Sequence, residues 1–153
     1  MDATPSIAAS RAYAAAQTVL LVIFAAILLW NPGDPLLRGE AWRFAGSILG
    51  VAGLIVIAAG FGALGRNIQV APHAKEGAQL VQSGIYRVLR HPIYTGIAAC
   101  VIGLWLRDST IIAGIAALVV IAFLGVKRRV EERFLLAAYP DYAAYRTRTI
   151  AFP

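Results

Sequence analysis

Apolar residues along this chain gather into four blocks separated by short polar runs. The first, Ala12–Trp30, is interrupted only by Gln17 and Thr18. Arg11 precedes it and Trp30 closes it, as interfacial anchors do. The second, Phe44–Leu64, carries no charge and as a helix reaches about 31 Å, enough for a hydrocarbon core of ~30 Å. The third, Ile93–Leu106, reaches only about 21 Å, and the fourth, Thr110–Val126, about 25 Å. The tight connection Arg107-Asp108-Ser109 makes these last two a helical hairpin, tilted or not fully crossing. The pattern predicts an all-α integral membrane protein, a single domain over residues 1–153. It would have about four transmembrane helices (12–30, 44–64, 93–106 and 110–126) and a cytoplasmic C-terminal helical segment.

Small residues recur where helices would touch. Gly46, Gly50 and Gly53 line the second block, and Gly96, Ala99 and Gly103 the third; such stripes let backbones approach closely. Gly60-Phe61-Gly62-Ala63-Leu64-Gly65 matches the dinucleotide fingerprint letter for letter. That fingerprint needs a strand before it and a helix after it. Here it closes a membrane helix, so it reads as packing and helix termination. The first block exceeds the ~7–15 apolar residues of a signal core, and Trp30-Asn31-Pro32 is no small-residue cleavage site, so a retained span is expected.

Composition agrees with lipid as the solvent. Apolar residues make up 59% of the 153 and charged residues 14%, against roughly 25% charged in soluble domains, and the mean hydropathy is +0.70. The formal charge of +6 is distributed between the apolar blocks, where anionic headgroups attract it. It forms no separate basic domain, which argues against a nucleic-acid partner. Its placement also sets orientation. Four spans put Arg11, Arg66, Lys75, Arg87, Arg90, Lys127, Arg128, Arg129, Arg133, Arg146 and Arg148 on one side, and only Arg38, Arg43 and Arg107 on the other. The positive-inside rule makes the first side, with both termini, cytoplasmic. A bacterial inner membrane is the expected location. Cys100 is the only cysteine, which excludes an internal disulfide and a thiolate metal cluster. Inside an apolar run it reads as a packing residue, and no metal is expected.

Candidate chemistry lies in two places. In Ser83–Gly96, two arginines, a histidine and two tyrosines crowd against the start of the third helix, with Pro92 suited to its first position. The N–H groups of Ile93, Tyr94 and Thr95 would be free to face an anion, although a basic interfacial anchor would have the same composition. In the segment after Val126, Lys127–Glu131 and Arg128–Glu132 are i, i+4 pairs. They read either as ordinary surface ion pairs or as carboxylates held near the membrane for a ligand. Tyr142 and Tyr145, three apart, would share a helix face.

These segments resemble the isoprenylcysteine carboxyl methyltransferase family and its phospholipid methyltransferase relatives. The matching residues are Gly77–Tyr86, Arg90-His91-Pro92-Ile93-Tyr94-Thr95-Gly96, and later Glu131-Glu132-Arg133-Phe134-Leu135 with Tyr142 and Tyr145. The resemblance implies that S-adenosylmethionine is held by Gln69, Leu80, Val81, Tyr86, His91, Pro92 and Tyr94, with Glu131 or Glu132 closing the pocket. It further implies that Lys127 or Arg128, with Arg90, faces a lipophilic methyl acceptor drawn from the membrane. The expected acceptor is a carboxylate of the isoprenylcysteine type; a phospholipid amine, a small thiol, or a non-enzymatic lipid-binding role are the alternatives. Ala78 stands where eukaryotic members have histidine, and Tyr139-Pro140 where Phe-Gly is usual; both departures bear on the acceptor more than on the cofactor. The oligomeric state is left open.

Overall fold

The computed structural model describes residues 7–30, 33–65 and 80–153. Its elements are α1 (Ile7–Trp30), α2 (Glu40–Leu64), a 3-10 turn (Gly84–Arg87), α3 (Pro92–Asp108), α4 (Ile111–Ala138) and α5 (Tyr142–Thr147). The helices fall where the apolar blocks do. Three of them, α1, α2 and α4, are long and apolar enough to cross a membrane. The 17 residues of α3 span about 26 Å. The apolar side chains left outside, among them Val22, Leu54, Ile55 and Leu118, belong in lipid rather than water. The chain is an all-α membrane protein.

Capping chemistry sets the helix ends. Pro92 occupies the first turn of α3, where its missing N–H is no loss. The Thr110 hydroxyl accepts from the Ala113 N–H and starts α4. Gly65 closes α2 at φ +51°, so the glycine-rich run does terminate that helix. Helix α4 continues without a break from the apolar block through Lys127 to Ala138 and carries the charged segment beyond the apolar layer.

Helix α2 packs antiparallel on α3, and glycine makes this possible. A Cβ on Gly53 would stand 2.6 Å from the Gly96 carbonyl oxygen and 2.7 Å from Cys100 Sγ. One on Gly103 would stand 2.5 Å from the Gly46 oxygen. Glycine recurs at contact every seven residues, Gly46, Gly53 and Gly60 on α2 and Gly96 and Gly103 on α3, so the stripe keeps to one helix face with a drift of only about 20° per repeat. Gly60 of the fingerprint-like run sits against Pro92 and Ile93, which is packing, as its context required. Cys100 Sγ lies 3.4 Å from the Gly50 carbonyl oxygen, also within this interface. The other side of α3 buries Tyr94, Ala98 and Val101 against Ala117, Val120 and Leu124 of α4 and Phe24 of α1.

Two ties fix the ends of the bundle. At one, Ser109, fully buried at the close of α3 and in left-handed conformation, receives the loop between α1 and α2. Its carbonyl accepts from Leu36 N at 2.9 Å, and its hydroxyl bonds the Leu37 N–H and carbonyl at 3.0 and 3.1 Å. At the other end, Ile150 N donates to Val88 O (2.8 Å) and Arg90 N to Ile150 O (2.9 Å), strapping the segment after α5 onto the approach to α3. The two short connections therefore share one end, and the charged segments share the other.

Gly53→Ala should destabilise the protein by about 1–3 kcal/mol through backbone overlap. Gly50→Ala, whose Cβ would meet nothing within 4 Å, should be neutral or slightly stabilising because alanine is the better helix former. Thermal unfolding of both variants in detergent tests this; equal midpoints would remove glycine packing as the reason for the close approach.

Candidate active site

The two motifs meet at the strapped end. Pro92 starts α3 directly after His91, so Arg90 and His91 lie beneath the C-terminal segment while Tyr94 is carried one turn into the helix. From α4, Glu131 and Glu132 project toward them because Lys127–Ala138 stays helical beyond the apolar layer.

Glu132 is the centre of the charged cluster. It is only 6% exposed and has Arg90 Nε at 3.2 Å, His91 Nε2 at 3.5 Å, Arg146 Nε at 3.8 Å and an Arg128 terminal nitrogen at 4.0 Å. This is no ordinary surface pair, since the carboxylate and the Arg90 and His91 side chains are all nearly enclosed. The cluster is nevertheless incompletely hydrogen-bonded. Arg90 Nε, His91 Nε2, Arg128 Nε, Glu132 Oε1 and the Tyr142 hydroxyl are buried without an aligned partner. Ion-pair distance and hydrogen-bond direction differ here, because Arg90 Nε faces Glu132 at short range but off-axis. Orphaned buried polar atoms are costly in a protein interior, and their convergence marks a place that can take a polar ligand.

Glu131 has another setting. It is partly open, accepts a hydrogen bond from the Tyr94 hydroxyl and lies 3.7 Å from His91 Nδ1. The His91 and Tyr94 rings stack with centroids 5.5 Å apart. Burial first, then Tyr145 and Glu131, pushes the Tyr86 phenol up to about 12. Burial, then Glu132, likewise holds Tyr142 above its ordinary value. Both hydroxyls stay protonated near neutrality and are available as donors. Tyr145 donates to the Tyr86 carbonyl at 2.7 Å; the Tyr142 and Tyr145 rings lie 5.8 Å apart on one side of α5, and both are buried.

Several residues occupy unexpected positions. Lys127 does not ion-pair with Glu131. Its ammonium donates to Gln17 of α1 at 2.7 Å and lies 5.0 Å from the centre of the Tyr94 ring. Arg90 is tied to the C-terminal segment, donating to the carbonyls of Arg146 and Thr149. The Thr95 N–H is engaged by the His91 carbonyl at 3.0 Å, which removes it from the free donors at the start of α3. Leu80 and Val81 are half-buried in the irregular run leading to the 3-10 turn, where Arg148 donates to Gln82. Gln69 lies outside the described residues. Sequence reasoning did not single out Arg146 or Gln17. Arg146 gives no local signal, since its partner is 14 positions away. Gln17 did carry one, as a polar break in an apolar block.

The sequence profile of the phospholipid methyltransferase family matches residues 42–142. The chain belongs to this family. The match takes in α2 from Trp42 onward, α3, α4 and the first residue of α5, including Arg90, His91, Tyr94 and both glutamates, and leaves out α1. The family is named for methyl transfer to phospholipid. The cobalt-zinc-cadmium resistance protein CzcN of Cupriavidus metallidurans is 36% identical over 74 residues, covering 48% of this chain and 34% of that protein. This chain thus matches about a third of that relative's length.

The cluster assigns opposite consequences to adjacent carboxylates. Glu132→Gln strips the counter-charge from buried Arg90 and its neighbours and should cost about 3–5 kcal/mol of stability. Glu131→Gln keeps a Tyr94 partner and should cost under about 1 kcal/mol. Unfolding midpoints of the two variants in detergent decide it, and a larger loss for Glu131→Gln would reverse the assignment.

Proposed function

We propose that this phospholipid methyltransferase family member uses S-adenosylmethionine to methylate an acceptor that resides in the membrane, in the first instance a carboxylate of the isoprenylcysteine type. The observation that supports this is the convergence of both motif halves on one cluster of buried, unpartnered polar atoms. The donor set fits the cofactor. Arg90, Arg128, His91 and the Tyr142 hydroxyl would hold its carboxylate and other oxygens, and Glu131, the more open carboxylate, would take its ammonium or ribose hydroxyls. Glu132 would organise the arginines. Bound there, the cofactor supplies an electrophilic methyl group on a sulfonium centre.

The protein's contribution is alignment, since displacement at that carbon needs the acceptor in line with the departing sulfur. The segment strapped across Arg90 and Thr95 shields the cluster from water. Lys127, set apart from the arginines on the α1 side, would hold an anionic acceptor. A carboxylate acceptor is already a nucleophile and requires no base. A second reading is favoured by the Tyr94–Glu131 hydrogen bond: an amine or thiol acceptor must lose a proton, and Glu131 could receive it through the Tyr94 hydroxyl. The acceptor's apolar tail would remain among the helices, so its affinity should rise with tail length by up to ~0.8 kcal/mol per buried CH₂.

The basic excess around the cluster, against Arg38, Arg43 and Arg107 at the far end, favours four spans with the cluster and both termini cytoplasmic in a bacterial inner membrane. A Cys100→Ala background with a new cysteine at exposed Ser83 or exposed Asp34 should then label from opposite sides. Labelling from the same side would sink the four-span arrangement.

Calorimetric titration of detergent-purified protein with S-adenosylhomocysteine tests the enzyme reading. Binding is expected in the wild type and should weaken by about tenfold or more in His91→Ala, which deletes a charge-assisted partner. Absence of binding at millimolar ligand would leave a lipid-binding, non-enzymatic role instead.

A further inference from the structure

Lys127 and Arg128 are neighbours in sequence but serve different surroundings. The Arg128 guanidinium joins Glu132, while the Lys127 ammonium turns the other way and is held by α1. Its Nζ donates to Gln17 Oε1 at 2.7 Å and sits 5.0 Å above the Tyr94 ring. Among the described residues no carboxylate lies within ion-pair distance of Nζ. The pair Gln17–Lys127 is part-buried. Beyond it toward the middle of the bundle the packed side chains are apolar: Leu20, Leu21 and Phe24 of α1, Ile93 and Ile97 of α3, and Leu124 and Ile121 of α4.

The partner chosen matters. An ammonium has three donors, and Gln17 engages one with a neutral amide while the ring faces the cation. Both contacts hold the group in place without a direct ion pair, and Glu131 attracts it only from beyond ion-pair distance. Glu131, one turn further along α4, would neutralise it, and i, i+4 geometry permits that pairing. Gln17 therefore works against a competing partner, keeping Lys127 out of a direct ion pair with Glu131 at the junction of polar cluster and apolar bundle.

We propose that Gln17 is a positioning residue that sets Lys127 as the anion-selective contact for the acceptor, so that α1 forms one wall of the acceptor site. The ligand class is an amphiphile with an anionic oxygen head, carboxylate or phosphate, and an apolar tail. The inference rests on the methyltransferase reading for the step it serves, and on the Gln17–Lys127–Tyr94 arrangement alone for the binding preference.

The test uses full-length protein in neutral maltoside micelles, with radiolabelled tetradecanoate, tetradecyl phosphate and tetradecanol as probes. Binding is read by equilibrium dialysis after subtracting partition into empty micelles. Wild-type protein should prefer at least one anionic probe over the alcohol by about tenfold, the scale of one charge-assisted hydrogen bond. Which anion it prefers identifies the head. Gln17→Leu, which frees Lys127 to pair with Glu131, and Gln17→Glu, which neutralises it in place at nearly the same shape, should both reduce the preference to about twofold or less. Gln17→Asn should recover part of it. If one variant fails to fold, the other still decides the outcome. Equal binding of all three probes by wild-type protein would overturn the proposal, as would a tenfold preference that survives in a folded Gln17 variant. S-adenosylhomocysteine titration of the same samples reports the cofactor site separately. Anion preference without cofactor binding removes the methyltransferase reading and keeps the Gln17–Lys127 site; the converse keeps the enzyme and removes the site.

Discussion

The end of this protein where the two motifs meet depends on a buried carboxylate that the chain has surrounded with cations. Glu132 comes from α4, Arg90 and His91 from the start of α3, Arg128 from one turn back on α4 and Arg146 from α5. A carboxylate so enclosed is stable only while these groups stay near it, so the electrostatic requirement fastens three segments together. The Arg90 guanidinium then reaches past Glu132 to carbonyls after α5, which extends the fastening to the strap over the site. Charges here therefore shape the site as well as occupying it. Several polar atoms of the cluster are nevertheless left without aligned hydrogen-bond partners.

Away from the cluster the restraint is steric. Helices α2 and α3 approach backbone to backbone at their glycines, and lipid provides no strong hydrophobic drive to pull helices together, so close packing has to supply the attraction. This rigid pair sets the axial height of Pro92 through Gly60, and Pro92 sets where Arg90, His91 and Tyr94 emerge. Ser109 closes the far end by hydrogen bonds to the α1–α2 loop. Helix α1 belongs less tightly. It packs against α4, with Phe24 in the core and Gln17 bonded to Lys127. Of that contact, Gln17 lies outside the stretch matched by the family profile and Lys127 within it.

Much of this was legible in the chain itself. Each apolar block falls on a helix, because lipid exposure demands continuous apolar surface, but α4 runs on twelve residues past its block, from Val126 to Ala138, where the sequence turns charged. Pro92 gave the start of α3 through its missing N–H. The two-part motif gave the family and most of the cluster, since each half is a contiguous run. What sequence could not decide was direction around a helix combined with distance across the bundle. Lys127 and Arg128 differ by about 100° on α4, and only the packed structure turned one to Gln17 of α1 and the other to Glu132. The same rotation separates Glu131, open and bonded to Tyr94, from Glu132, enclosed by arginines. Local spacing suggested a Lys127–Glu131 pair; a glutamine 110 residues away took its place, because the order of helices around the bundle is a property of their mutual packing and no short stretch of sequence encodes it.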